Sequence, residues 1–205
     1  MEKSRIAELL EPFIGAAAVL SPLQLEQISK YIDLLRRWNA RVNLTAIRDA
    51  EEVVTRHFGE SLFAAQHLPG GESLVDVGSG AGFPGSAIKI WRPELRVTLI
   101  ESNQKKATFL REVVRALGLG NIGVFAERAE KLGGEADIVT LRAVERFEDV
   151  LPQAVRLVTA KGTVALLIGE AQVEAAHRLA PGMEWKEAVD VPLSKSRKLV
   201  TGVKA

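Results

Sequence analysis

The chain has 205 residues, 47% of them hydrophobic, and a formal net charge of +1. That is enough apolar content for a packed core, and too little net charge to argue nucleic-acid binding from the total. Cysteine is absent, which excludes disulfides, thiolate metal sites and cysteine nucleophiles, and the histidines suggest no metal site either. No apolar run approaches the ~20 residues needed to cross a bilayer. The first residues, Met1-Glu2-Lys3-Ser4-Arg5, lead into an amphipathic segment rather than a signal-peptide core. A cytoplasmic protein, monomeric and away from membranes, is expected.

In chain order, Ile6, Leu9, Leu10 and Phe13 share one helical face, and Gly15 can end that helix. Ser21-Pro22-Leu23-Gln24 then supplies a cap, a proline at the first helical position and a glutamine in capping-box register. Leu25, Ile28, Ile32, Leu35 and Trp38 follow as one buried stripe. Asp49 and Glu52 repeat the cap signature before Val53, Val54 and Phe58, and a further helix includes Leu62 and Phe63. It stops near Pro69-Gly70-Gly71. Residues 1–70 are therefore expected as a helical cap, packed as one unit with a second region over 71–205.

From there the pattern alternates. β-rich runs at 73–77, 96–100, 121–126, 136–141 and 162–168 are separated by helical patterns at 85–91, 103–117 and 145–158. Alternation of this kind predicts parallel strands with right-handed crossovers. Segments 184–193 and 197–204 flank a short basic turn and read as an antiparallel pair at one sheet edge. The expectation is an α/β fold with a seven-stranded, doubly wound sheet.

In such a sheet the ligand sits beyond the carboxyl ends of the strands, where the strand order reverses. The first strand delivers Asp76-Val77-Gly78-Ser79-Gly80-Ala81-Gly82-Phe83-Pro84-Gly85. A dinucleotide fingerprint wants glycine at positions one, three and six, and position six here is Phe83. Glycines at one, three and five behind an acid suit a nucleoside without a diphosphate, and S-adenosylmethionine is the candidate cofactor. Asp76 either anchors the loop through backbone amides or lies near the ligand's ammonium group. Glu101, ending the second strand, is placed to chelate a ribose diol. Ala129 and Glu130, after the third strand, either meet an adenine edge or form a solvated charged turn. Arg142, ending the fourth, is the candidate catalytic side chain in a positioning role, because a desolvated arginine there needs an anionic partner.

What is missing narrows the chemistry. There is no Asn-Pro-Pro-aromatic sequence for exocyclic amines. His67 and His177 read as surface residues and belong to no triad, while the role of His57 stays open. An acceptor with a free lone pair, such as guanine N7, needs no base, so orientation supplies much of the catalysis. Basic residues gather at Lys30, Arg36, Arg37, Arg41 and Arg48 against Asp33 alone, and again at Lys195, Arg197, Lys198 and Lys204. They form either scattered solvated charge or a phosphate-binding surface. A methyltransferase for a small molecule or protein, and a non-catalytic protein that keeps only the fold, are the alternatives. The first predicts a closed apolar pocket without a basic rim, the second a degenerate site.

Trp38-Asn39 with Asn43-Leu44-Thr45, Arg56-His57, the Asp76–Gly85 block, Glu101-Ser102 with Lys105-Lys106, and Arg142-Ala143 resemble, in order and spacing, the GidB/RsmG family. The similarity covers essentially the whole chain. It implies a class I S-adenosylmethionine-dependent methyltransferase with a Rossmann-like sheet and a helical N-terminal extension. The implied target is guanine N7 of 16S ribosomal RNA near the decoding centre, with the small ribosomal subunit as partner. Carried over by position, cofactor contacts fall on Gly78, Phe83, Ala129, Glu130 and Arg142, with Glu101 joining them through the ribose argument. Lys105, Arg128 and Arg197 take basic positions that hold RNA phosphates or shape the active site. Asn39, Asn43, Thr45, Arg56 and His57 form a wall between cap and pocket, or, for Asn43 and Thr45, a purely structural loop. Two departures stand out. Glu60-Ser61 replaces the family's usual Asp-Ser, and Leu167-Ile168-Gly169 replaces its frequent Leu-Lys-Gly, which removes an expected phosphate contact at Ile168. Lys195 or Lys198 can supply the missing charge.

Overall fold

The computed structural model describes residues 1–205. Helix α1 (Lys3–Ile14) buries Ile6, Leu10 and Phe13, and α2 (Pro22–Val42) starts at the expected capping box. There the Gln24 amide donates to Ser21 Oγ at 3.2 Å and the Ser21 amide to Gln24 Oε1 at 2.8 Å. The next two expected helices form one continuous rod. Helix α3 (Ala50–Val53) passes through a π turn (Val54–Gly59) directly into α4 (Glu60–His67). Gly59 does not break the rod. A Cβ there would lie 2.6 Å from the Phe13 ring, so its glycine serves the close approach of α1.

The remaining elements are β1 (Ser73–Val77), α5 (Gly85–Trp91), β2 (Arg96–Ile100), α6 (Gln104–Ala116), β3 (Ile122–Phe125), β4 (Ala136–Arg142) and α7 (Phe147–Arg156). They are followed by β5 (Val158–Gly169), α8 (Val173–Leu179), β6 (Met183–Trp185), β7 (Val189–Asp190) and β8 (Arg197–Lys204). The sheet runs β3-β2-β1-β4-β5-β8-β6, parallel from β3 through β5 and antiparallel where β8 meets its neighbours. Seven strands lie along this path, and the two-residue β7 pairs separately with β8. The expected terminal pair is therefore three pieces, with β8 inserted inside the sheet between β5 and the short β6. Strand β5 begins earlier than the expected 162, because Val158 already pairs with Ala136 across a register shift. Helix α8 was not apparent in the sequence pattern.

Alternation along each strand divides the core in two. Leu74, Ala165 and Leu167 face a cluster built with α1, α2, the α3–α4 rod, α5 and α6. Val75, Val77, Val164, Leu166 and Ile168 face a second cluster under α7 and α8. This corrects the expectation for Ile168. The side chain is fully buried on the α7–α8 side, so isoleucine at this position packs the core. Strand order reverses between β1 and β4, and that crevice opens beneath the cap.

Candidate active site

At the carboxyl end of β1 the chain turns through Gly78, Gly80 and Gly82 with φ of 70°, 58° and 90°. These left-handed conformations suit glycine, and at Gly78 a Cβ would also lie 2.8 Å from Val144 Cγ1. Asp76 sits under the turn, fully buried. Its Oδ2 accepts from the Gly85 amide at 3.1 Å and its Oδ1 from Thr140 Oγ1 at 2.8 Å. Of the two roles left open, loop anchoring is the one this geometry performs. Burial pushes its carboxyl up to about 6 against the pull of those hydrogen bonds.

Glu101 follows β2. Its Oε2 accepts from the Gly80 amide at 2.9 Å and its Oε1 from the Asn103 amide at 2.7 Å. The carboxylate thereby ties the glycine turn to the start of α6, which Asn103 caps. Ala129 is buried, Glu130 and Arg128 are exposed beside it, and Arg156 donates to the Ala129 carbonyl at 3.0 Å from behind.

The opposite wall comes from the cap. Asn39 binds Thr45 twice, its Nδ2 donating to the carbonyl at 2.9 Å and its Oδ1 accepting from the amide at 3.0 Å. Asn43 ends α2 in the left-handed region and accepts from Arg48, so its role is structural. This folds residues 44–47 over the crevice. Thr45 Oγ1 lies 2.8 Å from His57 Nε2. The His57 ring stacks on Phe83 at 4.7 Å and Phe83 on Tyr31 at 5.3 Å, forming a three-ring pile whose far end is held by Tyr31 donating to the Ala81 carbonyl at 2.8 Å. Both faces of Phe83 are thus occupied by protein, which leaves its edge and backbone for the cleft. Burial, then the nearby Arg142, Arg56 and Arg197, depress His57 to about 3, so the ring is neutral.

Arg142 ends β4 with its side chain only 8% exposed. Its Nη2 lies 3.0 Å from Glu60 Oε2 and donates to the Arg56 carbonyl at 2.6 Å. Arg197 Nε approaches the same carboxylate oxygen at 3.6 Å and Arg56 Nε the other at 4.0 Å. Glu60, 2% exposed, thus gathers three guanidiniums. Burial lowers Arg142 to about 10, with Glu60 opposing the shift.

These walls enclose a cleft of about 1020 Å³. Gly78, Phe83, Glu101, Ala129, Glu130, Arg142, Arg128 and Arg197 all line it. Lys105 does not. It is exposed on the first turn of α6, and its neighbour Lys106 faces the cleft instead. Lys198 is held by Asp190 at 2.7 Å, which leaves Lys195 the freer of the two proposed substitutes. Sequence reasoning recorded Glu60 only as a departure from a pattern, and it missed Tyr31 and Thr140. No local spacing marks any of the three.

The architecture is the Rossmann-like, class I methyltransferase fold. It is similar to a ribosomal protein L11 methylase from Lactobacillus delbrueckii subsp. bulgaricus, with a TM-score of 0.62 and 14% identity, covering 73% of this chain and 79% of that one. It is also similar to M. jannaschii TYW2 in complex with AdoMet, at 0.59 and 17%, covering 72% and 74%.

Sequence comparison goes further. Residues 24–199 match the GidB family, described as rRNA small subunit methyltransferase G, and the chain belongs to that family. A ribosomal RNA small subunit methyltransferase G from Stenotrophomonas maltophilia (strain K279a) is 42% identical over 193 residues, covering 92% of this chain and 89% of that protein. The protein of the same name from Chromobacterium violaceum is 38% identical over 187 residues, 90% of each. The family resemblance read from the motifs is borne out.

Proposed function

We propose that the protein transfers a methyl group from S-adenosylmethionine to N7 of a guanine in 16S ribosomal RNA, without an obligatory general base. The observation that carries this reading is positional. In a chain of this family, the glycine turn, Glu101 and Arg142 stand at the carboxyl ends of three adjacent strands around one cleft.

The residues fit the cofactor. The left-handed turn at Gly78 leaves the backbone open where a side chain would project, and Glu101 brings a carboxylate to the end of β2 for the ribose diol. Ala129 and Glu130 offer a backbone amide and a carboxylate for the adenine edge. When bound, S-adenosylmethionine supplies an activated methyl group. Everything else asked of the chain is orientation.

The electrostatics agree with an acceptor that has no proton to lose. His57 is neutral but far too weakly basic to take a proton near neutral pH. Asp76 is buried and engaged by Gly85 and Thr140. N7 attack needs neither group, because its lone pair is already available, and alignment does the work. Arg142, pinned by Glu60, positions the substrate side, while Lys105, Arg128 and Arg197 hold RNA phosphates.

The test is methyl transfer from labelled cofactor to undermethylated small ribosomal subunits, with naked 16S RNA and large subunits as controls. Label recovered as N7-methylguanosine at one site is expected. Label found only on protein or small metabolites would overturn the assignment.

A further inference from the structure

The cations of this chain are unevenly satisfied. Many exposed ones hold a carboxylate, as Lys3 does with Glu26, Arg5 with Glu51 and Lys131 with Glu127. Exposed cations without a partner also stand at Arg96, Lys161, Lys186 and Lys195, but the outer faces of α2 and α6 carry a group of them. Arg37, Arg41, Lys105, Arg111 and Arg115 are all exposed, and none forms an ion pair or a side-chain hydrogen bond. Along this face of α2 the nearby acid Asp33 is also unpaired, and on α6 Glu112 is taken by Trp38 Nε1 at 3.0 Å.

The two helices make one surface. Trp38 packs against Phe109 with ring centroids 5.8 Å apart, and Gln27 donates to the Leu117 carbonyl at 3.1 Å. Contacts from 38 to 109 and from 27 to 117 make the pair antiparallel. One turn beyond Trp38 stands Arg41, and one turn before Phe109 stands Lys105, so both mark the same end of the pair. That end adjoins the cleft, because residues 44–47 and Lys106 line it.

We propose that α2 and α6 form a docking surface for RNA backbone, continuous with the cleft and outside the active site, with Arg37 and Arg41 as its principal phosphate contacts. The proposal rests on the ribosomal RNA reading above. Free cations suit a polyanion, whose condensed counterions they displace. A protein partner would call for an apolar centre. The exposed large apolar side chains are Val19, Leu23, Val189 and Leu193, and the only one on α2, Leu23, sits at its opposite end.

The test uses the full chain with R37Q/R41Q and, as a charge-retaining control, R37K/R41K. Neither position lines the cleft, so calorimetric S-adenosylmethionine affinity stays at the wild-type value in both. Binding to deproteinised 16S RNA is measured across a potassium chloride series. The glutamine pair is expected to flatten the log–log salt slope by about 1.5 and to weaken binding at fixed salt, while the lysine pair keeps the slope. An unchanged slope and affinity in R37Q/R41Q, with wild-type methylation of the RNA intact, would overturn the surface and leave the enzyme reading standing. With small subunits measured in parallel, weakened binding confined to those subunits would assign the face to a protein and overturn it as well. A wild-type chain that neither binds nor methylates small-subunit RNA would overturn both.

Discussion

The two sides of the cleft are built by opposite strategies. On the glycine side, Asp76 and Glu101 spend their oxygens on the Gly85, Gly80 and Asn103 amides and on the Thr140 hydroxyl, within or beside the segments they organise. On the arginine side, one carboxylate from the α3–α4 rod faces guanidiniums from the same rod, from β4 and from β8. The first wall is held mainly by hydrogen bonds to backbone amides. The second is a charge cluster in which buried Arg142 and largely buried Arg197 rely on Glu60, while half-exposed Arg56 also pairs with Glu52 at 3.1 Å. Rigidity on one side and charge balance on the other imply different failures when each is disturbed.

The largest expected effect breaks the glycine wall without touching charge. Gly78→Val places a β-branched residue at φ of 70° and drives its Cβ to 2.8 Å from Val144. Calorimetry should record at least about a hundredfold loss of S-adenosylmethionine affinity, near 3 kcal/mol, with the far-ultraviolet spectrum retained. Wild-type affinity in the variant would show that the turn does not meet the ligand.

The next effect removes the charge balance of the arginine wall. Glu60→Gln preserves shape but leaves Arg142, with a side chain 8% exposed, without its counter-ion. Breaking one partner of a buried pair typically costs about 3 kcal/mol or more, read as a lower urea midpoint at unchanged m. Glu60→Asp, which keeps the charge on a shorter side chain, is expected to recover part of that loss. A Glu60→Gln chain as stable as wild type would mean that solvent already screens the cluster.

The same contrast explains what was legible. The glycine block, Glu101 and Arg142 stand at strand ends, and alternating apolar runs reveal strand ends, so the sequence located them without tertiary information. The parallel strands could be anticipated for the same reason, but the insertion of β8 between β5 and β6 could not. Glu60 could not be read this way. Its partners at positions 142 and 197 lie in other elements, and only the insertion of β8 beside β5 brings Arg197 alongside Arg142. Phe83 lines the cleft as expected, but nothing in its local sequence indicates that Tyr31 and His57 will stack on its ring. Ile168 shows the converse error. Strand alternation puts it on the same face as Leu166 and Val164, away from the cap, and the expected loss of a phosphate contact ignored that parity.

The smallest effect separates the walls by the sign of a pH dependence. Asp76, raised to about 6 from 3.8, contributes stability that is present below the unfolded value and is lost as pH rises from 3.8 to 6. His57, lowered to about 3 from 6.5, is buried neutral, so its contribution is present above pH 6.5 and is lost as pH falls toward 3. Between pH 4 and 6 the two slopes oppose each other at about 1.4 kcal/mol per pH unit each, and in wild type they nearly cancel. Asp76→Asn removes the compensating acid stabilisation, so the variant should lose stability relative to wild type as pH falls through this window. His57→Gln removes the acid penalty and should gain relative to wild type over the same range. Near pH 5 the difference, referred to its value at pH 7, should reach about 1.3 kcal/mol for Asp76→Asn and about 2 kcal/mol for His57→Gln in urea unfolding. If both differences run in the same direction, the opposed burial of an acid on one wall and a base on the other is not what sets the acid response of this cleft.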